Sequence, residues 1–305
     1  MKVLLIDIDN KYPNLALMKL SAYHKLQYDT VFLNDYLCNP DIVYVSCVFT
    51  KNYHKINRLP FNNIIIGGTG TTSKAILSEE QEHIMPDYSL YNCNYALGFT
   101  TRGCIRNCKF CLVPEKEGKI RVNADIYEFW GKQKDLVLLD NNILALPEHF
   151  YKICSQIKKE NIRVDFNQGL DIRLLTDDIT KELSSLKHKE YHFAFDNLKD
   201  KDKILRGIEL LKKYNIKRSI FYTLVGFDET FEQDLERLNI LRELGQHAYC
   251  MRWNKIYYNK KYISLSQWVN NRAWFAKLTH EEYKEIRRCY VQHIPRPEND
   301  SLQLI

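Results

Sequence analysis

The stretch YALGFTTRGCIRNCKFCLVPEKEG (Tyr95 to Gly118) is the part of the sequence from which the rest can be interpreted. It starts as a short apolar strand and continues into a loop that carries Cys104, Cys108 and Cys111 at C-x3-C-x2-C spacing. This spacing puts three thiolates on one loop, where they can hold three irons of a 4Fe–4S cluster and leave the fourth iron without a protein ligand. A structural zinc site would need a fourth ligand, and no Cys or His follows at the usual paired spacing.

The loop resembles that of a known superfamily. The cysteine spacing, with the aromatic Phe110 directly before the third cysteine, is the signature of the radical S-adenosylmethionine (SAM) enzymes. The flanking run GFTTRGCIRNCKFCLVPEKEG is similar to members that carry an N-terminal cobalamin-binding-type domain. The resemblance implies that the cluster chelates SAM and, once reduced, splits it into methionine and a 5′-deoxyadenosyl radical. It also implies an external electron donor such as flavodoxin or ferredoxin.

Length and composition set broad limits. The chain has 305 residues, of which 45% are hydrophobic, enough for one large domain or two modest ones. Its 44 basic and 38 acidic residues permit an anionic partner. No apolar run has membrane-spanning length and no signal peptide is evident, so we expect a cytoplasmic protein without a membrane partner. Six further cysteines are expected to be mainly buried apolar residues, with no assigned role: Cys38, Cys47, Cys93, Cys154, Cys250 and Cys289.

Residues 1–90 show the pattern of a small α/β unit. Four apolar runs predict strands, namely KVLLIDID, DTVFLND, DIVYVSCVF and NNIIIGG, and Asn14 to Leu26 has helical spacing. Such short continuous runs favour a parallel sheet covered on both faces. The unit resembles a shortened cobalamin-binding-type, Rossmann-like domain, with Gly67 and Gly68 at the position of that family's glycine pair. The lower-ligand motif D-x-H-x-x-G is absent, so cobalamin is not the expected cofactor, although some relatives bind it without that histidine.

Residues 91–254 change to repeated strand–helix units. The predicted strands lie within residues 95–103, 135–142, 163–176, 191–197, 218–227 and 247–254, and a helix is predicted from about Pro147. Six such units fit the partial (β/α)6 barrel of radical SAM enzymes. The predicted fold is therefore α/β, with a Rossmann-like domain, a partial barrel and a C-terminal helical extension over residues 255–305.

The resemblance implies cofactor-binding residues at the carboxyl ends of the barrel strands, where such barrels place their chemistry. They are Phe110 in the cluster loop, Asp140, Asn141 and Asn142 after the second strand, Asn167, Gln168 and Arg173 after the third, Asp196 after the fourth, Gly226 after the fifth, and Met251 in the sixth. No residue is assigned as catalytic.

Two of these positions carry open alternatives. Asp140-Asn141-Asn142 stands where many relatives have Gly-Gly-Glu, whose backbone binds the SAM ammonium, so the backbone role is expected and the side-chain role is not. Arg173 is expected to pair with the SAM carboxylate, and a structural ion pair with Asp171 is the alternative. The other expected contacts are the ribose for Asn167 and Gln168, and the adenine for Phe110, Gly226 and Met251.

The C-terminal segment is basic and aromatic. Nine basic residues face three acidic ones between Met251 and Ile294. Interleaved aromatics are Trp253, Tyr257, Tyr258, Trp268 and Trp274. Phosphate contacts and base stacking would suit a nucleotide or a nucleic acid. The alternative is a solvated helical face with core aromatics. Thr279 with Glu282 predicts a capping box for a final helix.

The favoured function is a radical SAM enzyme acting on an unidentified substrate, with a nucleotide or nucleic acid as the expected class. A cobalamin-dependent radical SAM methyltransferase is the alternative. Methylthiotransferases rank lower, because that family has three more cluster cysteines in its N-terminal domain and a C-terminal RNA-binding barrel, and neither pattern is found. A non-catalytic zinc or iron–sulfur nucleic-acid-binding protein is the alternative from another class.

Overall fold

The computed structural model describes residues 1–217 and 219–293, with side chains up to residue 288. Arg218 at the start of the predicted fifth strand, residues 294–305 of the predicted extension and the side chain of Cys289 lie outside the described part. The chain divides into two compact units. The first comprises Met1–His192 and Glu209–Arg218, and the second comprises Phe193–Ile208 and the chain from Ser219 onward.

The first unit begins with a parallel four-stranded sheet. Its elements are β1 (Lys2–Asp7), α1 (Leu15–Leu26), β2 (Thr30–Leu33), β3 (Ile42–Ser46), β4 (Ile64–Gly67) and the short helix α2 (Glu79–Glu82). The strand order is β2-β1-β3-β4, and every neighbouring pair is parallel. The structure confirms the predicted strands and their parallel arrangement.

Strand β1 shows why this sheet forms. Its apolar residues are buried on both faces, as expected of a central parallel strand. Leu4 and Ile6 pack with Val43 on one face, and Leu5 packs with Leu17 of α1 on the other. The N-terminus of α1 is capped by Asn14, whose side chain accepts a 3.2 Å bond from the Leu17 amide.

The rest of the first unit contains a three-stranded sheet and a small hairpin. Its elements are β5 (Ala96–Gly98), β6 (Thr101–Arg102), α3 (Val113–Lys116), β7 (Arg121–Val122), β8 (Asp135–Leu138), α4 (Pro147–Lys159), β9 (Arg163–Phe166), α5 (Asp177–Ser184) and β10 (Tyr191–Ala194), which ends in the second unit. Strands β5, β8 and β9 pair in parallel. The first predicted barrel strand stops at Gly98, because the chain turns there into β6, which pairs antiparallel with β7.

The remaining elements are α6 (Lys201–Lys213), β11 (Ser219–Val225), α7 (Phe231–Glu243), β12 (His247–Arg252), α8 (Lys260–Asn270), α9 (Arg272–Lys277) and α10 (His280–His293). A further three-stranded sheet has the order β10-β11-β12, with β11 and β12 parallel. All six predicted strands are present, so the fold is α/β with parallel sheets. The division into a Rossmann-like domain, a barrel and an extension stays a prediction.

Helices follow the last strand, as the sequence predicted. Trp268 of α8 is fully buried, and its indole Nε1 donates a 3.0 Å bond to the Leu278 carbonyl. The capping box is confirmed, since the Thr279 and Glu282 amides bond to each other's side chains at 2.7 and 3.3 Å. Over residues 1–217 and 219–293 we find no helix with the length and apolar content needed to cross a membrane.

Candidate cofactor site

The cysteine loop is closed at its base. The β6–β7 pairing joins Thr101 to Val122 and Arg102 to Arg121, on either side of the loop. Within it, the Gly103 amide donates to the Glu117 carboxylate at 2.9 Å, and the Cys104 amide donates to the Gly118 carbonyl at 3.2 Å. The path of the loop is therefore held by backbone bonds and by the Glu117 side chain.

Gly103 makes this closure possible. Its φ is +79°, a conformation that residues with a Cβ rarely adopt. A Cβ on Gly103 would lie 2.3 Å from the carbonyl oxygen of Lys119. The residue before the first cysteine therefore has to be glycine for both conformational and steric reasons.

The three cysteines have the properties that a cluster needs. All are half-buried, and none is in a disulfide bond. The Cys104 sulfur accepts from the Arg106 amide at 3.3 Å and from Asn142 Nδ2 at 3.8 Å. Such N–H donors to sulfur are among the features that tune iron–sulfur clusters. Soft thiolate donors with N–H groups directed at one of them fit a 4Fe–4S cluster.

A single metal ion has a different requirement. All of its ligands must approach one point, at about 2.3 Å for zinc and sulfur. Within the described residues, no group of three or more His, Cys, Asp or Glu side chains is arranged to hold one ion. A cluster instead binds each thiolate through a separate iron, so it does not require that convergence.

Asp140 anchors the strand that leads into the loop. Its carboxylate is buried. One oxygen accepts from the Thr100 amide at 3.0 Å, the Thr100 hydroxyl at 2.9 Å and the Thr101 hydroxyl at 2.6 Å, and it also accepts from the Thr101 amide. The other oxygen has no hydrogen-bond partner in the part of the chain that the structure describes. Burial raises the pKa of Asp140 to about 6, against an ordinary 3.8, and the threonine bonds only partly offset it. The side chain of this predicted site residue thus positions the loop.

The two asparagines after Asp140 also contact the loop. Asn141 Nδ2 donates to the Glu117 carboxylate at 2.9 Å. Asn142 is 2% exposed and donates to the Cys104 sulfur and, at 3.4 Å, to Asp171. Its side-chain oxygen is buried and has no hydrogen-bond partner among the described residues. Asn142 therefore has an unused acceptor and at the same time contacts Cys104.

Asp171 connects the loop to the segment after β9. Its carboxylate binds Arg106 Nε at 2.8 Å and Arg173 Nε at 2.7 Å. Burial alone would raise the pKa of Asp171, but the ion pairs with Arg173 and Arg106 outweigh it and lower the pKa. The structure shows the ion pair with Asp171 that the sequence left as the alternative for Arg173.

Three further predicted site residues lie in the first unit, and their positions do not indicate which ligand atoms they would contact. Asn167 and Gln168 are exposed after β9, and Phe110 is half-buried in the loop. The Asn167 amide donates to the Leu138 carbonyl at 3.0 Å, which aligns the ends of β8 and β9.

The last three predicted residues lie in the second unit. Asp196 accepts a 2.8 Å bond from the Leu224 amide. Gly226 has a φ of +75°, and a Cβ there would lie 2.5 Å from a side-chain carbon of Ile256. Met251 in β12 is 38% exposed. The structure thus brings Cys104 together with Asn142, and places Asp196, Gly226 and Met251 in the other unit.

Sequence reasoning missed a buried ionic group in the second unit. Arg237 is 1% exposed and forms ion pairs with Glu229, at 2.6 Å, and with Asp234. It also donates to the backbone carbonyls of Phe195 and Leu224, next to the ends of β10 and β11. The spacing of Asp234 and Arg237, three apart on α7, was the available signal. It does not distinguish a surface pair from a buried one.

The aromatic residues of the C-terminal segment divide by burial. Trp268 belongs to the core, so the stacking hypothesis was wrong for this residue. Tyr257, Tyr258 and Trp274 are exposed. Of the five aromatics named from the sequence, these three and the half-buried Trp253 keep a surface that a base can contact.

No protein-family model matches the chain. Curated proteins similar to it include three that are named tRNA-2-methylthio-N(6)-dimethylallyladenosine synthase. The protein from Hydrogenobaculum sp. (strain Y04AAS1) is 28% identical over 229 residues, which cover 63% of this chain and 51% of the relative. The protein from Sulfurihydrogenibium sp. (strain YO3AOP1) is 26% identical over 68% of this chain and 58% of its own length. The protein from Aquifex aeolicus (strain VF5) is 28% identical over 57% of this chain and 47% of its own length.

The chain spans about half the length of the curated relatives it matches. The sequence ranked methylthiotransferases below cobalamin-dependent methylases, yet all three relatives carry a methylthio synthase name. The proteins to which this chain is similar are therefore enzymes named for a tRNA modification.

Proposed function

We propose that the protein is a radical SAM enzyme that modifies RNA, with tRNA as the substrate. Cys104, Cys108 and Cys111 would hold a 4Fe–4S cluster, and SAM would bind beside it. When bound, these cofactors supply a 5′-deoxyadenosyl radical by reductive cleavage of SAM, with an electron from a donor such as flavodoxin or ferredoxin. The observation that carries the proposal is the closed loop in which two N–H groups point at the sulfur of the first cysteine.

The chain's own residues would position this chemistry. Asp140 and Glu117 hold the two ends of the loop, and Asp171 fixes Arg106 within it. Arg106 in turn places its amide on the Cys104 sulfur. A network of this kind keeps ligands oriented without reorganisation when a cofactor binds.

The proposed SAM site includes the unpartnered oxygen of Asn142, which can accept a bond from an ammonium group. Arg173 donates to Asp171 through Nε and Nη2, and the predicted contact of Arg173 with the SAM carboxylate is kept as part of the proposal. Asn167 and Gln168 would contact the ribose, and Phe110, Gly226 and Met251 the adenine. Asp196 is a further proposed contact at the end of β10.

The proposed architecture keeps the predicted boundaries. Residues 1–90 would be the shortened cobalamin-binding-type domain, residues 91–254 the partial barrel and residues 255–305 the extension. The alternation of six strands with helices supports the barrel. The parallel order β2-β1-β3-β4 supports the Rossmann-like domain.

Cobalamin is not part of the proposal. In open parallel sheets, ligands bind outside the carboxyl ends of the strands, where the strand order reverses. Here that position lies between β1 and β3, and Asp9 bridges it by accepting from the Val48 amide at 2.5 Å and from Asn52 Nδ2 at 2.7 Å. The reconstituted protein should therefore lack a corrinoid absorbance band. A band at about one corrinoid per chain would contradict this part of the proposal.

The proposal extends to RNA as the substrate class and not to the methylthio product. Support comes from the tRNA named in the relatives and from the basic C-terminal segment. The match covers about half of each relative, so the reaction that follows hydrogen abstraction is not assigned.

The test is the iron content of the anaerobically purified protein together with its SAM cleavage. The native protein should hold about four irons per chain and release 5′-deoxyadenosine under reducing conditions. Alanine at Cys104, Cys108 and Cys111 together should abolish both. The matched control replaces Cys38 and Cys93, two half-buried cysteines outside the loop, and should retain both. Full iron content in the triple variant, or zinc in place of iron in the native protein, would refute the assignment.

A further inference from the structure

The second unit contains an open groove between helices α8 and α10, with a volume of about 630 Å³. Lys260, Ser264 and Gln267 line it from α8, at spacings of four and three residues. Lys284, Arg287 and Arg288 line it from α10, again within one turn. Both sets follow the helical repeat. Ile263 also lines the groove from α8, so the α8 face is mixed, whereas the described lining residues of α10 are all cationic.

The groove is positively charged. Among the side chains that the structure describes, its lining includes four cationic residues and no acidic one. Lys284 is paired with Glu281 at 2.7 Å. Lys284, and more weakly Arg288, lower the pKa of Glu281, so this one exposed acid partly offsets the charge. Lys260, Arg287 and Arg288 form no ion pair with an acid in the described part of the chain. The remaining excess of positive charge on one concave surface favours an anionic occupant.

Arg287 is held in place without losing its charge. Its guanidinium donates to the side-chain oxygen of Gln267, across the groove, and at 3.2 Å to the Tyr283 hydroxyl. Both partners are neutral. Preorganised arginine donors that keep their charge are well suited to phosphate oxygens.

Ser264 of the groove lining contacts a buried residue beneath it. Ser264 lies 3.1 Å from Nε2 of His280, which is 3% exposed and stacks near Trp268 and Tyr283. Burial, and then the nearby Lys284, lower the pKa of His280, so this histidine is a neutral packing group. The helices that carry the cations are therefore fixed by core contacts, and the charges do not need to be gathered when a ligand binds.

We propose that this groove binds the sugar–phosphate backbone of RNA, an inference that rests on the proposed function and names the surface that holds its substrate. Lys260 and Gln267 are separated by about 10 Å along α8, from the helical rise of 1.5 Å per residue. That length exceeds one phosphate group and suits successive phosphates of one strand. The contact is therefore to backbone, which supplies affinity and position and does not read the base sequence.

The test is binding of a tRNA transcript to the cluster-loaded full chain, followed by fluorescence anisotropy from about 0.05 to 0.3 M salt. The groove variant carries Lys260→Gln and Arg288→Gln, both at exposed positions. The matched control carries Lys203→Gln and Arg206→Gln, an equal loss of charge at exposed positions of α6 in the same unit.

The groove variant should bind tRNA about 20- to 60-fold more weakly at 0.1 M salt. The magnitude of the slope of log K against log salt should fall by about 1.4 to 1.8, because two phosphate contacts are lost and each contributes roughly 0.7 to 0.9. The control should match the native protein. Equal affinities and slopes for the groove variant and the control would overturn the inference.

Iron content and 5′-deoxyadenosine release, measured without RNA, separate this inference from the proposed function. Both should be unchanged in the groove variant, because neither substituted residue is in the cysteine loop. A native protein without iron would refute the proposed function and leave the RNA measurement to decide the groove. A loaded, active protein whose groove variant binds tRNA normally would refute the groove alone.

Discussion

Replacing Asp140 by asparagine should remove one specific pH dependence of stability. The carboxyl group is buried, and its pKa is raised from 3.8 to about 6 in the folded protein. The fold therefore holds this proton more tightly than the unfolded chain. Below pH 4 both states are protonated, and as the pH rises through 6 the folded state loses stability relative to the unfolded one. The complete loss is about 3 kcal/mol, at 1.36 kcal/mol for each unit of pKa.

Urea unfolding of the iron-free native protein and of Asp140→Asn, at pH 5 and pH 7, would measure the effect. The linkage relation gives a loss of about 1.3 kcal/mol from Asp140 over this interval, which the variant should lack. Other titrating groups contribute equally to both proteins and cancel in the difference. Asp178→Asn, at an exposed position of α5, is the control and should change the native pH dependence little.

The same substitution tests the role of Asp140 in the loop. An amide can accept from Thr100 and Thr101, but it places an NH2 group where the second carboxylate oxygen has no partner. We therefore expect Asp140→Asn to retain less iron than Asp178→Asn. A variant with native pH dependence and native iron content would show that the carboxyl is neither buried nor anchoring, and the reasoning would be wrong.

Two further predictions concern one residue in each unit. Gly103→Ala should lower iron retention. Gly118 has a similar φ of +76°, but no atom lies within 4 Å of an added Cβ, so Gly118→Ala should lower the free energy of unfolding by only about 1 kcal/mol and keep its iron. Equal losses of iron in the two variants would contradict the steric argument. Arg237→Met should lower the free energy of unfolding by about 3–5 kcal/mol, because it leaves Glu229 and Asp234 buried without their cation. The control Glu236→Gln breaks an exposed ion pair with Lys201 and should lower it by less than about 1 kcal/mol. Denaturant midpoints of the two variants check this, and similar midpoints would refute it.

The strands were predictable because their signal is local. Each is a short apolar run between polar or turn-forming residues, and each apolar residue of β1 is buried as the pattern requires. Strand ends were less predictable. The sequence YALGFTTRG gave no indication that Asp140, 40 residues beyond Thr100, bonds to the backbone there and ends the strand. A contact over that distance depends on the packing of β5 against β8.

The C-x3-C-x2-C spacing predicts a cluster role for Cys104, Cys108 and Cys111, whose thiolates few other residues can replace. That role stays a prediction. Arg106 and Glu117 were not identified from sequence, because a charged residue in a loop is ordinarily solvated. Only the folded chain shows that one meets Asp171 and that the other accepts from the Gly103 amide.

The run Asp140-Asn141-Asn142 shows how a departure from a family pattern can be interpreted. At the first two positions, where many relatives have glycines, this chain has Asp140 and Asn141, whose side chains bond to Thr101 and Glu117 and so stabilise the loop. The second oxygen of Asp140 has no hydrogen-bond partner among the described residues. Asn142 has its amide nitrogen on the Cys104 sulfur and its oxygen unpartnered in a buried position. A buried acceptor without a partner is costly unless a ligand satisfies it. Asp140 and Asn142 both have such an acceptor, and Asn142 in addition bonds to the Cys104 sulfur. We therefore place the Asn142 side chain, and not only its backbone, in the proposed SAM site.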